Sequence, residues 1–438
     1  MNSLGTVWLL IGTLTVACAV SVPRSLLLSS EKYLMDNALR AAEWISLPDL
    51  EPLPSLDKIS FKKLEEMPLE EAAEMLNKLY HLSKINRRPV DTYIPNTSDI
   101  NALMIATNNE KISFKLSKIV QTVMKDSDFG KQVLTIFLTG LPNELNAVKK
   151  ANDELIQAYM QRYKNLPLNL NLNQTYKVVS SEEMLSDKTG ELTANKKSKG
   201  NLIVVDLGSA MKNFKEWITL DIEEMGTNLG NILTDLTDKV DVPQEVIHII
   251  GQGVAAHVAG VAGRQYSRVT GHRLRRITGL DPSKIFVDNK NVLTGLARGD
   301  ADFVDVIHTS SYSMGTVMRC GDVDFYPDGP NQLLSGSKNV IEASMRATCY
   351  FADTVVPLME RNFPAVSATS LQEYKNKKGY GKRVYLGIST DFDLKGDYVL
   401  EVNTKNNYDR NTPIEKSMDY HSIHMPWKTI DEKLTRIY

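Results

Sequence analysis

The sequence has few cysteines, almost no net charge, and only one long apolar run, which lies at the N-terminus. Only three of its 438 residues are cysteines, and its formal net charge is −2. A chain without a basic excess lacks the electrostatic footprint of nucleic-acid-binding proteins, so we expect no nucleic-acid partner. Hydrophobic residues make up 42% of the chain, a globular composition for one large α/β domain with extensions.

The apolar run has the length of a signal peptide. The first 19 residues carry no charged side chain, and the stretch from Val7 to Ala17 ends in the small residues Ala17-Cys18-Ala19. This pattern predicts a signal peptide over residues 1–19, removed after about Ala19. The run is too short to span a bilayer, so we expect a secreted, soluble protein without a membrane span.

Removal of the signal peptide leaves two cysteines, Cys320 and Cys349. An even pair in an oxidising compartment could form one disulfide, and two unrelated buried thiols fit the sequence equally well.

Secretion also makes some residues candidates for modification. Asn96 and Asn173 each begin an Asn-x-Ser/Thr sequon and are candidate glycosylation sites. Ser180 and Ser181 are each followed two residues later by a glutamate, the pattern that secretory-pathway kinases favour. The alternative for the two serines is an acidic turn in solvent.

The hydrophobic pattern divides the chain into four further segments. We predict a largely helical N-terminal extension over 20–125, in which Pro68 can begin a helix. Its apolar stripe packs on the main domain or binds a partner. An α/β domain follows over 126–404, with a polar inserted loop at 164–200, and a polar tail covers 405–438.

The most informative stretch is 246–263, VIHIIGQGVAAHVAGVAG. A β-branched apolar run followed by small residues predicts a buried parallel strand, a sharp turn and a helix. In α/β-hydrolases such a turn reads Gly-x-Ser-x-Gly, with the nucleophilic serine at its apex. Here the apex is Gly253, which has no side chain that could attack a carbonyl. An ordinary strand-to-helix connection is the alternative.

Three more segments resemble the pancreatic-lipase family. They are LIVVDLGS at 202–209, RRITGLDPS at 275–283 and ADFVDVIH at 301–308. The resemblance spans roughly 130–400 and implies an α/β-hydrolase fold, with a mostly parallel central sheet flanked by helices. The chain looks closest to the yolk proteins of higher flies, lipase relatives that store nutrients in the egg.

The resemblance also assigns the positions of a catalytic triad. Asp281 matches the acidic member, Gly253 occupies the nucleophile position, and Ser344 occupies the histidine position. The triad is therefore degenerate, and we expect no catalytic residues, no cofactor and no activity as an enzyme.

Other family positions are changed or remain structural. Thr139 replaces the histidine of the oxyanion-hole loop, and Asp300 is the only carboxylate left from the calcium loop, so we expect no metal site. His257 matches a family histidine with a packing role. His308 is expected to have its hydrogen bonds satisfied locally.

The resemblance implies a secreted egg-yolk storage protein, a nutrient reservoir for the embryo, that ends in the yolk granules of the oocyte. Its expected partners are an oocyte endocytic receptor of the lipoprotein-receptor type and further chains in a homo- or hetero-oligomer. The alternatives are a carrier of a lipid or steroid conjugate in a vestigial cleft, and a weak or unusual lipase. Two basic clusters are candidates for receptor binding, with solvated surface as the alternative: Lys196, Lys197 and Lys199, and Lys375, Lys377, Lys378, Lys382 and Arg383.

Overall fold

The computed structural model describes residues 59–85, 91–105, 111–164, 200–286, 295–330, 336–377 and 381–402. All of these residues belong to one unit of the chain, 54–438. The predicted signal peptide, Asn173, Ser180, Ser181, the first basic cluster, Lys378 of the second cluster and the predicted tail from 405 lie outside the described residues.

A central sheet organises the described part of the chain. Its strands are β1 (Asn101–Ile105), β2 (Lys111–Lys115), β3 (Val133–Leu138), β4 (Gly200–Asp206), β5 (Ile247–Gln252), β6 (Arg276–Leu280), β7 (Phe303–Ile307), β8 (Val323–Pro327), β9 (Pro364–Ser367), β10 (Arg383–Tyr385) and β11 (Gly396–Leu400). Their order is β10-β9-β11-β8-β7-β6-β5-β3-β4-β1-β2. The strands from β11 to β4 in this order are parallel, and the two strands at each edge are antiparallel.

Helices pack on both sides of this sheet. They are α1 (Phe61–Glu66), α2 (Leu69–Ile85), α3 (Ile119–Val123), α4 (Asn146–Lys164), α5 (Phe214–Ile218), α6 (Ile222–Val240), α7 (Val254–Thr270), α8 (Val340–Val355) and α9 (Leu371–Lys377). Because both faces are covered, the central strands are mostly apolar, and every residue of β5 is buried. This architecture confirms the predicted α/β-hydrolase fold.

The N-terminal extension differs from its prediction in one segment. Helices α1 and α2 agree with the predicted helical pattern, and Pro68 directly precedes α2. Residues 101–115, however, form the β1–β2 hairpin, which extends the sheet through antiparallel pairing of β1 with β4. The alternation of exposed and buried side chains in β1, with Ala102 and Met104 inward, is a strand pattern that the expected helix does not produce.

The carboxyl ends of the parallel strands lie together along one side of the sheet, and from here on this side is the edge that we mean. Gly253 follows β5, Asp281 follows β6, and the loop 308–316 follows β7. In open α/β sheets this edge is where ligands bind, so the predicted positions meet at the functional edge.

Candidate functional site

The turn between β5 and α7 has the backbone of a strained elbow. Gly253 has φ 57° and ψ −122°, and its N–H donates to Leu280 O at 2.9 Å. A Cβ placed on Gly253 meets no atom within 4 Å beyond its chain neighbours. At Gly251, by contrast, a Cβ would lie 2.4 Å from Ala256 Cα, so only glycine fits there. The turn therefore retains the space for an apex side chain that the sequence does not supply.

Asp281 is buried directly after β6, and four groups donate hydrogen bonds to it. Its Oδ1 accepts from the N–H groups of Thr309, at 2.9 Å, and of Ser310, at 2.8 Å. The hydroxyl of Ser310 donates to Oδ2, and the Ser344 hydroxyl also bonds to the carboxyl group. Burial raises the pKa of Asp281, and these hydrogen bonds oppose the rise. The acidic position and the histidine position are thus in contact, with serine at the second.

Gln252 connects the elbow to its surroundings. It is fully buried, and its Oε1 accepts from Gly140 N at 3.2 Å. Its Nε2 donates to Asn152 Oδ1 at 3.0 Å and to Thr348 Oγ1 at 2.9 Å. The only sequence signal for this role is an amide side chain in an otherwise apolar strand end, and the sequence analysis missed it.

Lys284 is a second residue that the sequence analysis missed. Its Nζ donates to the backbone carbonyls of Ser311, at 3.2 Å, and of Ser313. Burial lowers the pKa of Lys284 to about 7, while the charge of Asp281 favours the ammonium form. An amine with this pKa beside Asp281 is a potential base near the elbow.

Two histidines have the structural roles expected of them. His257 Nε2 donates to Ser283 O at 2.7 Å, and its Nδ1 accepts from Leu296 N at 3.1 Å. His308 lies between Thr316 O, 3.0 Å from Nδ1, and Asp324 Oδ1, 2.8 Å from Nε2. Both rings are therefore held by local partners.

The environment of His257 predicts a loss of stability in acid. Burial lowers its pKa from 6.5 to about 4, and protonation of Nδ1 would also break the hydrogen bond from Leu296. The unfolded chain thus binds the proton more readily between pH 6.5 and 4. The stability contributed by neutral His257 is complete above pH 6.5 and falls by about 3 kcal/mol as the pH drops through 4.

Urea unfolding of the wild-type protein and of His257→Gln between pH 7 and pH 4 measures this effect. The variant should lose less stability over that interval than the wild-type protein. Identical losses in both proteins would contradict the role assigned to His257.

The cysteine alternatives are resolved in favour of thiols. Cys320 lies in the loop before β8, where its Sγ donates to Met318 O at 3.2 Å, and Cys349 lies within α8. Both are buried and no disulfide joins them, so the disulfide alternative is wrong.

Asp300, the remaining carboxylate of the calcium-loop resemblance, has a guanidinium partner. Arg264 Nη1 donates to both of its oxygens, at 2.7 and 2.8 Å, and Ala297 N donates to Oδ2 at 2.7 Å. No cluster of three or more His, Cys, Asp or Glu side chains suited to a metal occurs in the described part of the chain. Among the same residues, no helix is long and apolar enough to cross a membrane.

Comparison of the sequence with known proteins finds lipases and vitellogenins. The sequence pattern of the Lipase family covers residues 106–408. Vitellogenin-2 from Ceratitis capitata is 47% identical over 94% of this chain and 98% of its own length. Vitellogenin-3 from Drosophila melanogaster is 45% identical, over 90% and 95%. Pancreatic triacylglycerol lipase from Cavia porcellus is 31% identical over 32% of this chain and 31% of its own length. The chain therefore belongs to the lipase family, in the group of that family that contains the fly vitellogenins.

Proposed function

We propose that this protein is a secreted yolk storage protein that does not hydrolyse lipids. The observation that carries the proposal is Gly253, because the elbow keeps its conformation and its open space yet has no nucleophilic atom. The serine at 344 beside Asp281 supports it, since a hydroxyl there cannot act as the base of a triad. Similarity to vitellogenins over nearly the whole chain supports the storage part of the proposal.

A labelling experiment tests the absence of catalysis. The purified protein should turn over neither triglyceride, phospholipid nor short esters, and a serine-directed fluorophosphonate should not label it. A pancreatic lipase assayed in parallel is the positive control. Stoichiometric labelling of one serine would contradict the proposal.

Storage also requires uptake, and we propose that an oocyte receptor of the lipoprotein-receptor type binds the protein through exposed lysines. In the second basic cluster, Lys375 and Lys382 are exposed, whereas Lys377 Nζ is paired with Glu373. Lys375 and Lys382 are therefore the described members of this cluster with charge most available to an acidic receptor surface.

Uptake by isolated oocytes tests this face. Labelled protein should enter saturably, and Lys375→Glu/Lys382→Glu should reduce uptake about tenfold or more, because like charges now meet across the interface. Lys118→Glu/Lys125→Glu is the matched control, since it reverses two exposed lysines elsewhere. Linear uptake without competition by unlabelled protein would exclude a receptor, and equal losses in both variants would reject this face.

Glycosylation at Asn96 is part of the same proposal. Asn96 is exposed, and its Oδ1 accepts from the N–H and the hydroxyl of Ser98, both at 2.9 Å. Its side chain is therefore on the surface, where a glycan can be attached without disturbing the core. A mass decrease on treatment with an N-glycosidase that is smaller in Asn96→Gln by the mass of one glycan would identify the site, whether or not Asn173 is also glycosylated.

A further inference from the structure

Helices α1 and α2 lie across the edge of the sheet where an α/β protein of this type binds its ligand. Three anchors hold them there. Asn77 Nδ2 donates to Tyr312 O at 2.6 Å, in the loop that surrounds Asp281. Asn339 Nδ2, at the start of α8, donates to Glu65 O at 2.8 Å. Ala147 N, in the first turn of α4, donates to Glu65 Oε1 at 3.3 Å.

These anchors follow different strands of the sheet. Tyr312 follows β7, Asn339 follows β8 and Ala147 follows β3. Since the strands are parallel, all three anchors stand at the same edge, on both sides of β5 and its elbow. The helical pair therefore spans the space beside Gly253 at this edge of the sheet. We call this space the ligand crevice.

Aromatic contacts close the space beneath the helices. The Phe61 ring meets Trp217 edge-on, with ring centroids 6.3 Å apart, and Trp217 Nε1 donates to Gly140 O at 2.8 Å. Tyr80 packs edge-on against Phe286, which follows Asp281, at 5.7 Å. The helical pair is thus in aromatic contact with Trp217 of α5 and with Phe286 in the segment after Asp281.

The two faces of the pair differ in polarity. The inward side chains are at most 4% exposed and join the buried cluster that contains Val254, the first residue of α7: Phe61, Leu64, Ala72, Ala73 and Leu76. The outward side chains are charged and exposed: Lys62, Lys63, Glu66, Glu70, Glu71 and Glu74. The apolar face of the helical pair is thus buried in the core of the domain, and the charged face meets water.

We propose that α1 and α2 are an intramolecular occupant of the ligand crevice, and that a single-chain amphiphile enters only by displacing them. The crevice is closed by the protein's own apolar side chains, so carrying a lipid and retaining this closed state are mutually exclusive. The inference concerns access to the crevice and does not depend on a storage role.

A thiol at the elbow reports directly on this access. Gly253→Cys places a thiol where a Cβ meets no atom, and the native Cys320 and Cys349 are buried. The rate of its labelling by a long-chain N-alkylmaleimide is followed by peptide mass spectrometry, which assigns each modified cysteine. In the otherwise unchanged protein, labelling should be slow relative to the urea-unfolded protein.

Displacement of α1 should accelerate the labelling. Leu64→Asp buries a charge in the inward face, and we expect the labelling rate at position 253 to rise about tenfold or more as the helices open. Lys62→Asp is the matched control, because it places the same side chain on the outward face of the same helix, and it should leave the rate unchanged. Sodium laurate should then protect the thiol in the Leu64→Asp protein but not in the parent.

Each alternative result decides against the proposal. Fast labelling in the parent, or protection of the parent by laurate, would show that the crevice is open without displacement. Equal acceleration by Lys62→Asp would show that the effect does not come from the inward face, and a folded Leu64→Asp protein with the parent's rate would show that α1 does not limit access to residue 253. If circular dichroism shows that Leu64→Asp is unfolded, Asn77→Ala removes one anchor only; about threefold acceleration supports the proposal, and an unchanged rate overturns it.

Discussion

Gly253→Ser alone should leave the protein without measurable esterase activity. Gly253→Ser/Ser344→His should hydrolyse a p-nitrophenyl ester about 100-fold or more faster than the Gly253→Ser protein does. The space at residue 253 accepts the serine, but its hydroxyl remains protonated at neutral pH without a base. An imidazole at residue 344 would replace a side chain that already contacts Asp281, whose carboxyl group can orient it. A general base of this kind contributes roughly 10²–10⁴-fold.

The size of histidine requires a matched control. Ser344 is buried within α8, so a larger side chain there costs about 1–3 kcal/mol of stability. Gly253→Ser/Ser344→Gln introduces a similar volume without a base and should be inactive. Both double variants are also assayed with the Leu64→Asp substitution added, so that a closed crevice cannot keep the ester from a restored site. Equal activity of the histidine and glutamine variants would contradict the assignment of residue 344.

Lys284 offers a competing base. If Gly253→Ser alone is active, and the activity disappears on Lys284→Met, the amine with its pKa lowered to about 7 by burial is the base rather than an imidazole at 344. That result would show that the site needs only one substitution to regain chemistry.

The sequence predicted the parts of the site that lie within one local segment. Gly253 and Asp281 each end a buried strand, and a strand followed by a turn is visible in a short stretch of sequence. The sequence could not show that Gln252 joins three distant segments by hydrogen bonds. Its partners Gly140, Asn152 and Thr348 lie about a hundred positions away on either side. Such contacts depend on the tertiary arrangement, which a local pattern does not contain.

The place of the N-terminal helices was unpredictable for a similar reason. The spacing of Leu64, Ala72 and Leu76 predicts an apolar stripe and hence burial, but it does not specify the surface that the stripe covers. The β1–β2 hairpin was missed because its membership of the sheet is set by pairing with β4, about a hundred residues later in the chain.

Asp305→Asn should lower the free energy of unfolding by about 3–5 kcal/mol, the largest effect on stability that we expect. Asp305 is fully buried in β7 and accepts from Arg276 Nε at 2.8 Å and Nη2 at 2.7 Å. Thr278 Oγ1 donates to it at 2.8 Å and is in turn 2.8 Å from His248 Nε2. Without the carboxylate, the Arg276 charge would be buried with only neutral partners.

Two comparisons show whether the cost comes from the uncompensated charge. Arg276→Met/Asp305→Leu removes both charges and should cost less than Asp305→Asn alone, because no ion remains without its partner. Asp235→Asn breaks an exposed pair with Lys239, whose side chains are 45% and 57% exposed, and should cost no more than about 1 kcal/mol. Urea unfolding with tryptophan fluorescence measures all three. If the double variant is less stable than Asp305→Asn, the ion pair stabilises the sheet in its own right, and the explanation from a stranded charge is wrong.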